Sequence, residues 1–283
     1  MGRTVQHVTT DQGEIAYTDT GGDAPVALFV HGVFLNGHLW RHVIDRVAAV
    51  RRCVAVDLLG HGDTRIAADQ DLSFRSQAEM LLGVCDALGL DQVDLVGNDS
   101  GGGICQIFAA RHPERIRTLS LTNCDVHDNW PPAALGSIQE LVAAGGLPDL
   151  GAQMLADVEV ARAGFAVACE HPERLDAETV RTYLGPLFAT AESTANLERW
   201  FTETHDNSQT VEIEPQLRSL TAPTLVVWGT DDVFFDVEWA HWLRDTIPGC
   251  ERVVELDGAK LFFPEERPDE LAVELLRLWG GAG

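Results

Sequence analysis

Apolar positions along this chain fall into two rhythms. Residues 26–30 (Val-Ala-Leu-Phe-Val), 53–58 (Cys-Val-Ala-Val-Asp-Leu) and 93–97 (Val-Asp-Leu-Val-Gly) are short, nearly continuous apolar runs, and similar runs recur at 118–123, 224–229 and 252–256. Runs of this kind suit strands covered on both faces. Between them, residues 74–88, 102–111, 237–247 and 266–279 carry helical patterns that supply crossovers. The alternation predicts a doubly wound, mostly parallel α/β sheet. Two opening segments, 4–9 and 14–19, instead alternate in polarity around Gly13, which predicts an antiparallel hairpin at the sheet edge.

Roughly a hundred residues between 123 and 223 carry no strand signal, too many for a simple loop. Stretches 133–144, 150–170, 177–187 and 191–204 read as helices, with Pro131-Pro132 starting the first and Gly145-Gly146 and His171-Pro172 as breakers. The expected division is a core of residues 1–125 and 218–283 with a helical cap, 126–217, inserted between them.

Composition narrows the function. The hydrophobic share is 45% of 283 residues, enough for a large core, and 20 Lys+Arg against 44 Asp+Glu give a net charge of −24. Such a chain repels phosphate backbones and anionic bilayers, so no nucleic acid and no membrane is expected among its partners. No apolar run approaches the ~20 residues of a membrane span, and the opening Met1-Gly2-Arg3-Thr4 has no signal-peptide core, which predicts a soluble, cytoplasmic protein. Six cysteines without a CxxC pair read as reduced, buried thiols rather than a metal framework.

Candidate chemistry begins at Gly97-Asn98-Asp99-Ser100-Gly101, where a strand run ends and a helical run opens. Glycines flanking a central residue suit a strained turn that thrusts that residue above the sheet as a nucleophile. In this register the central residue is Asp99, and Ser100 falls one place late. Backbone N–H groups of Val33 and Ser100 are the expected oxyanion donors, which need no particular side chain.

With these motifs the chain resembles the α/β-hydrolase superfamily over nearly its whole length. His31-Gly32 stands where the oxyanion loop is expected, Asp57-Leu58-Leu59-Gly60-His61-Gly62-Asp63-Thr64 looks like the DxxGxGxS segment, and Gly229-Thr230-Asp231-Asp232 puts Asp232 at the usual acid site. The resemblance implies an eight-stranded, mostly parallel sheet with helices on both faces and an inserted cap. An elbow aspartate resembles the branch of haloalkane dehalogenases and epoxide hydrolases, which implies an alkyl- or acyl-enzyme ester on Asp99. It implies no metal and no cofactor.

Departures from that pattern are equally specific. Gly258-Ala259-Lys260-Leu261-Phe262-Phe263-Pro264-Glu265 has Leu261 where the family carries its histidine. Leucine cannot activate water. Val33 and Ser100 stand where halide-binding side chains are expected, and of the two tyrosines, Tyr17 lies in the edge hairpin and Tyr183 in the cap. His127, between Asp125 and Asp128, is the expected replacement base, although Asp128 and Asn129 also suit helix capping before Pro131. Lys260 is a weaker candidate, better read as solvated. Phe34, Trp130, Leu261 and Phe262 are expected to wall the substrate pocket. Three functions follow. A hydrolase of a small organic molecule through an Asp99 ester is the main expectation. A lyase, isomerase or cyclase using Asp99 as acid and base is the second, and a silent small-ligand binder the third. The sequence leaves homodimerisation open.

Overall fold

The computed structural model describes residues 4–204 and 207–281, so the reading of Met1, Gly2 and Arg3 lies outside the described residues. Eight strands form one sheet: β1 (Gln6–Thr10), β2 (Gly13–Asp19), β3 (Val26–Val30), β4 (Arg52–Val56), β5 (Val93–Asp99), β6 (Ile116–Cys124), β7 (Thr224–Gly229) and β8 (Cys250–Leu256). Their order is β1-β2-β4-β3-β5-β6-β7-β8. β1 and β2 form the antiparallel edge hairpin, β2 runs antiparallel to β4, and every later neighbour pair is parallel. All five residues of β3 and all seven of β5 are buried, as central strands covered on both faces must be.

Helices cover the sheet. α1 (Arg41–Val47), α2 (Phe74–Ala87) and α3 (Ser100–Arg111) precede the long insertion, while α11 (Val237–Thr246), α12 (Phe263–Glu266) and α13 (Pro268–Gly281) follow it. α1 packs on α13, α2 on α3, and α11 on β7 and β8. Trp40, Trp228, Phe29 and Phe108 are fully buried within this core, and burying aromatics of that size removes ~150–250 Å² each from water. No helix among the described residues is long and apolar enough to cross a membrane.

Between β6 and β7 the described residues form no strand. They make α4 (Gly136–Ala143), α5 (Leu147–Ala156), α6 (Val158–Phe165), α7 (Ala177–Phe188), α8 (Ala191–Glu203), α9 (Ser208–Val211) and α10 (Glu214–Leu217). The single helix expected over 150–170 is two helices. Asp157 breaks it: its backbone is extended (φ −135°, ψ 113°), and its carboxylate accepts the Glu159 N–H as the N-cap of α6. The insertion is strapped to the segment after β8. Glu266 accepts the Glu170 N–H at 2.8 Å, Arg267 grips the Glu170 carboxylate, and the Phe262 N–H donates to the Ala168 carbonyl at 2.9 Å.

Candidate active site

β5 ends at Asp99, whose backbone sits at φ 58° and ψ −135°, and α3 starts at the next residue. A non-glycine residue in that region costs of order 1–3 kcal/mol and persists because its surroundings force it. Two glycines permit the crossing. A Cβ on Gly101 would lie 2.3 Å from the His31 carbonyl oxygen, and one on Gly32 would lie 2.1 Å from Oδ2 of Asp99. The oxyanion loop and the elbow can therefore touch. The Val33 N–H donates to Asp99 Oδ2 at 3.0 Å, and the Ser100 N–H also donates to this carboxyl.

The loop itself is held from below. His31 Nδ1 lies 2.7 Å from the Gly32 carbonyl, and its Nε2 accepts the Leu58 N–H at 3.0 Å. Asp57 accepts the N–H groups of Gly37 and Asp63 at 2.8 and 2.9 Å, tying the oxyanion loop to the turn after β4. His61, buried edge-on against Trp200, is pushed down to about 3 by that burial and stays neutral. Both histidines build the loop.

Asp99 opens onto a cavity of about 320 Å³ between the sheet and the inserted helices. Val33, Phe34, Leu261 and Phe262 line it, together with residues of α4 to α7 such as Leu150, Met154 and Phe188. Besides Asp99, the described residues of the wall contain one polar side chain, the Ser137 hydroxyl. Ser100 does not line it: the residue is fully buried and its Oγ has no hydrogen-bond partner.

Two further carboxyls stand near Asp99, past the ends of β6 and β7. Asp232 follows β7, accepts Asn123 Nδ2 at 2.7 Å and the Phe234 N–H at 2.8 Å, and is pushed up to about 6 by burial against those hydrogen bonds. Asp125 follows β6 and is wholly buried, with neither carboxyl oxygen hydrogen-bonded. Burial first, and then Asp99 and Asp232, hold it well above the usual carboxylate range. Asp99 itself is pushed up to about 7 by burial, with Asp232 adding and the Val33 and Ser100 N–H groups opposing. Among the described residues, no cation figures among the main charges acting on Asp99 or Asp125. The site is a stack of acids under an apolar roof.

Several expected site residues lie elsewhere. His127 does not line the cavity: its Nε2 is 3.0 Å from Glu214, its Nδ1 3.3 Å from Asp128, and its ring packs on Trp242 with centroids 4.9 Å apart. A long-range acid at the end of the insertion captures the imidazole, so the structure places the expected base at 127 outside the cavity, held by Glu214. Trp130 is corrected likewise. Its Nε1 donates to the Thr204 carbonyl at 2.5 Å and its ring stacks on Phe74, outside the cavity. Lys260 donates to the Ala166 carbonyl at 2.8 Å, and the Tyr183 hydroxyl is engaged by Glu265 at 2.6 Å and Arg41 at 3.1 Å. Leu261 stands in the cavity wall, its carbonyl accepting Asn98 Nδ2 at 3.1 Å.

Sequence reasoning passed over Asp125 as more than a neighbour of His127. Its signal was there: an acid between Cys124 and Val126, directly past an apolar strand run, is enclosed unless the chain turns outward. Phe165, Phe188 and Phe234, which also line the cavity, carry no such signal.

Residues 25–267 match the family model described as alpha/beta hydrolase fold. Haloalkane dehalogenase 2 of Mycobacterium tuberculosis strain H37Rv is 26% identical over 272 residues, 96% of this chain and 93% of that protein. A 2-hydroxymuconate semialdehyde hydrolase of Pseudomonas sp. strain CF600 is 45% identical over 109 residues, which are 36% of this chain and 37% of that protein. The matched stretch thus spans little more than a third of that relative. An epoxide hydrolase solved without ligand superposes with a TM-score of 0.80 over 100% of both chains at 21% identity, a likeness of fold.

Proposed function

We propose that this chain, which belongs to the alpha/beta hydrolase family, hydrolyses a small neutral organic molecule, with the Asp99 carboxylate as nucleophile and an enzyme ester as intermediate. One observation carries the reading: among the described residues Asp99 is the sole ionisable side chain in the wall of an apolar cavity, and backbone donors hold its carboxyl at the elbow.

The chemistry follows from that placement. One carboxylate oxygen attacks an electrophilic carbon, a C–O bond forms, and halide or epoxide oxygen leaves with the bonding pair; an activated ester instead acylates the carboxylate and its alkoxide leaves. Water then attacks the carbonyl carbon of the ester, the tetrahedral intermediate collapses with cleavage of the C–O bond to the substrate, and the departing alkoxide takes the proton removed from water, restoring the Asp99 carboxylate. Charge develops on the oxygen nearest the Val33 and Ser100 N–H groups, which stabilise it without reorganising. Attack also needs a proton acceptor. With Leu261 in the wall and His127 held by Glu214, we assign the acceptor to Asp232, which does not line the cavity but acts on Asp99 through its charge and is ionised above about 6. A carboxylate is a weaker base than imidazole, so the second step limits turnover.

The reading is tested by incubating the protein with alkyl halides, epoxides and activated esters, recording intact mass and released product together, with Asp99→Asn as control. An adduct mapped to Asp99, followed by slow release, is the expected result. Neither adduct nor product with any of the three classes would refute it.

A further inference from the structure

We propose that the same cavity isomerises neutral epoxides, the undissociated Asp99 carboxyl acting as Brønsted acid and the surrounding phenylalanine rings stabilising the cationic carbon. Five such rings line the cavity, those of Phe34, Phe165, Phe188, Phe234 and Phe262, around one acid. Aromatic faces are the neutral groups that best stabilise a buried cation, and among the described residues of the wall they outnumber the Ser137 hydroxyl and the Met154 thioether. This activity goes beyond the ester reading. It uses the same residue in its other protonation state.

The proton balance closes within the site. Asp99 donates its proton to the epoxide oxygen, and the C–O bond at the more substituted carbon breaks with its electron pair going to oxygen. The resulting carboxylate removes a proton from a carbon next to the cationic centre, a C=C bond forms, and an allylic alcohol leaves with Asp99 protonated again. No water and no second base takes part. A leucine at position 261 is no defect in such a cycle, because it keeps the cationic carbon from water.

Groups packed around Asp99 favour its acid form. Asp232 after β7 and Asp125 after β6 add negative charge, the Cys124 thiol at the end of β6 is held neutral by burial, and no cation among the described residues figures among the main charges opposing them. The Val33 and Ser100 N–H groups act the other way and are outweighed.

The test uses 1-methylcyclohexene oxide in oxygen-18 water between pH 5.5 and 8.5, with products followed by gas chromatography and mass spectrometry. Allylic alcohol free of oxygen-18 is expected, at a rate falling about tenfold per pH unit above about 7. Asp99→Asn should yield none, and Phe188→Leu, which keeps apolar volume but removes a ring, should lower the rate about tenfold. Labelled diol or ester adduct with no allylic alcohol, or allylic-alcohol formation at a rate that rises with pH, would overturn the proposal. The ester reading fails separately, by the absence of adduct and diol.

Discussion

Replacing Asp99 with asparagine should make the fold more stable, and more so as the pH rises. Burial pushes the Asp99 carboxyl up to about 7 from an ordinary 3.8. Below pH 3.8 both folded and unfolded chains hold the proton and no penalty exists. Between about 4 and 7 the unfolded chain releases its proton while the folded chain keeps it, so stability is lost steadily as pH rises. Above 7 the loss is constant. A gap of about three pH units at ~1.36 kcal/mol each amounts to about 4 kcal/mol at pH 8, and to about 2 kcal/mol at pH 5.5. Asparagine has nothing to ionise, and its side-chain oxygen can still accept the Val33 N–H. Asp99→Asn should therefore gain about 2 kcal/mol at pH 5.5 and about 4 kcal/mol at pH 8. With ~2.1 cal/mol/K of unfolding entropy per residue over 283 residues, the larger gain corresponds to a rise in Tm of about 7 °C. Urea unfolding of both proteins at both pH values measures it. A gain that does not grow with pH, or wild-type protein that is the more stable at pH 8, would show that Asp99 does not bear this burial penalty.

The remaining expectations concern the site. Formation of the Asp99 ester should accelerate about tenfold per pH unit up to about 7 and then level off, read by stopped-time intact mass. Leu261→His should convert slow release into sustained turnover, by ~10²–10⁴-fold if the imidazole reaches the ester, and unchanged release after a normal first turnover would count against water activation as the missing step. His127→Ala should leave ester formation within about twofold of wild type and change stability little, as loss of a solvent-screened ion pair does. Gly32→Ala should abolish ester formation and lower stability, since its Cβ would lie 2.1 Å from Asp99 Oδ2, and a fully active variant would refute the contact.

Local chemistry explains what the sequence by itself determined. The order of strands and helices was legible because an apolar run and a helical stripe are each set by neighbours within a few residues. The elbow was legible for the same reason: Gly97, Asp99 and Gly101 lie within five residues, and the turn needs them there. The hairpin of β1 and β2 and the insertion after β6 also follow from local pattern. What tertiary structure decided is which distant group each polar side chain meets. His127 looked poised between Asp125 and Asp128, yet Glu214, 87 residues later, holds its Nε2. Trp130 looked like a pocket wall until Thr204, 74 residues on, took its indole N–H. Asp125 became a buried, unbonded acid because three parallel strands end side by side and bring Asp99, Asp125 and Asp232 together. A buried polar group is governed by whichever partner the fold delivers, and a helix in the insertion turns its stripe toward a cavity only after it packs.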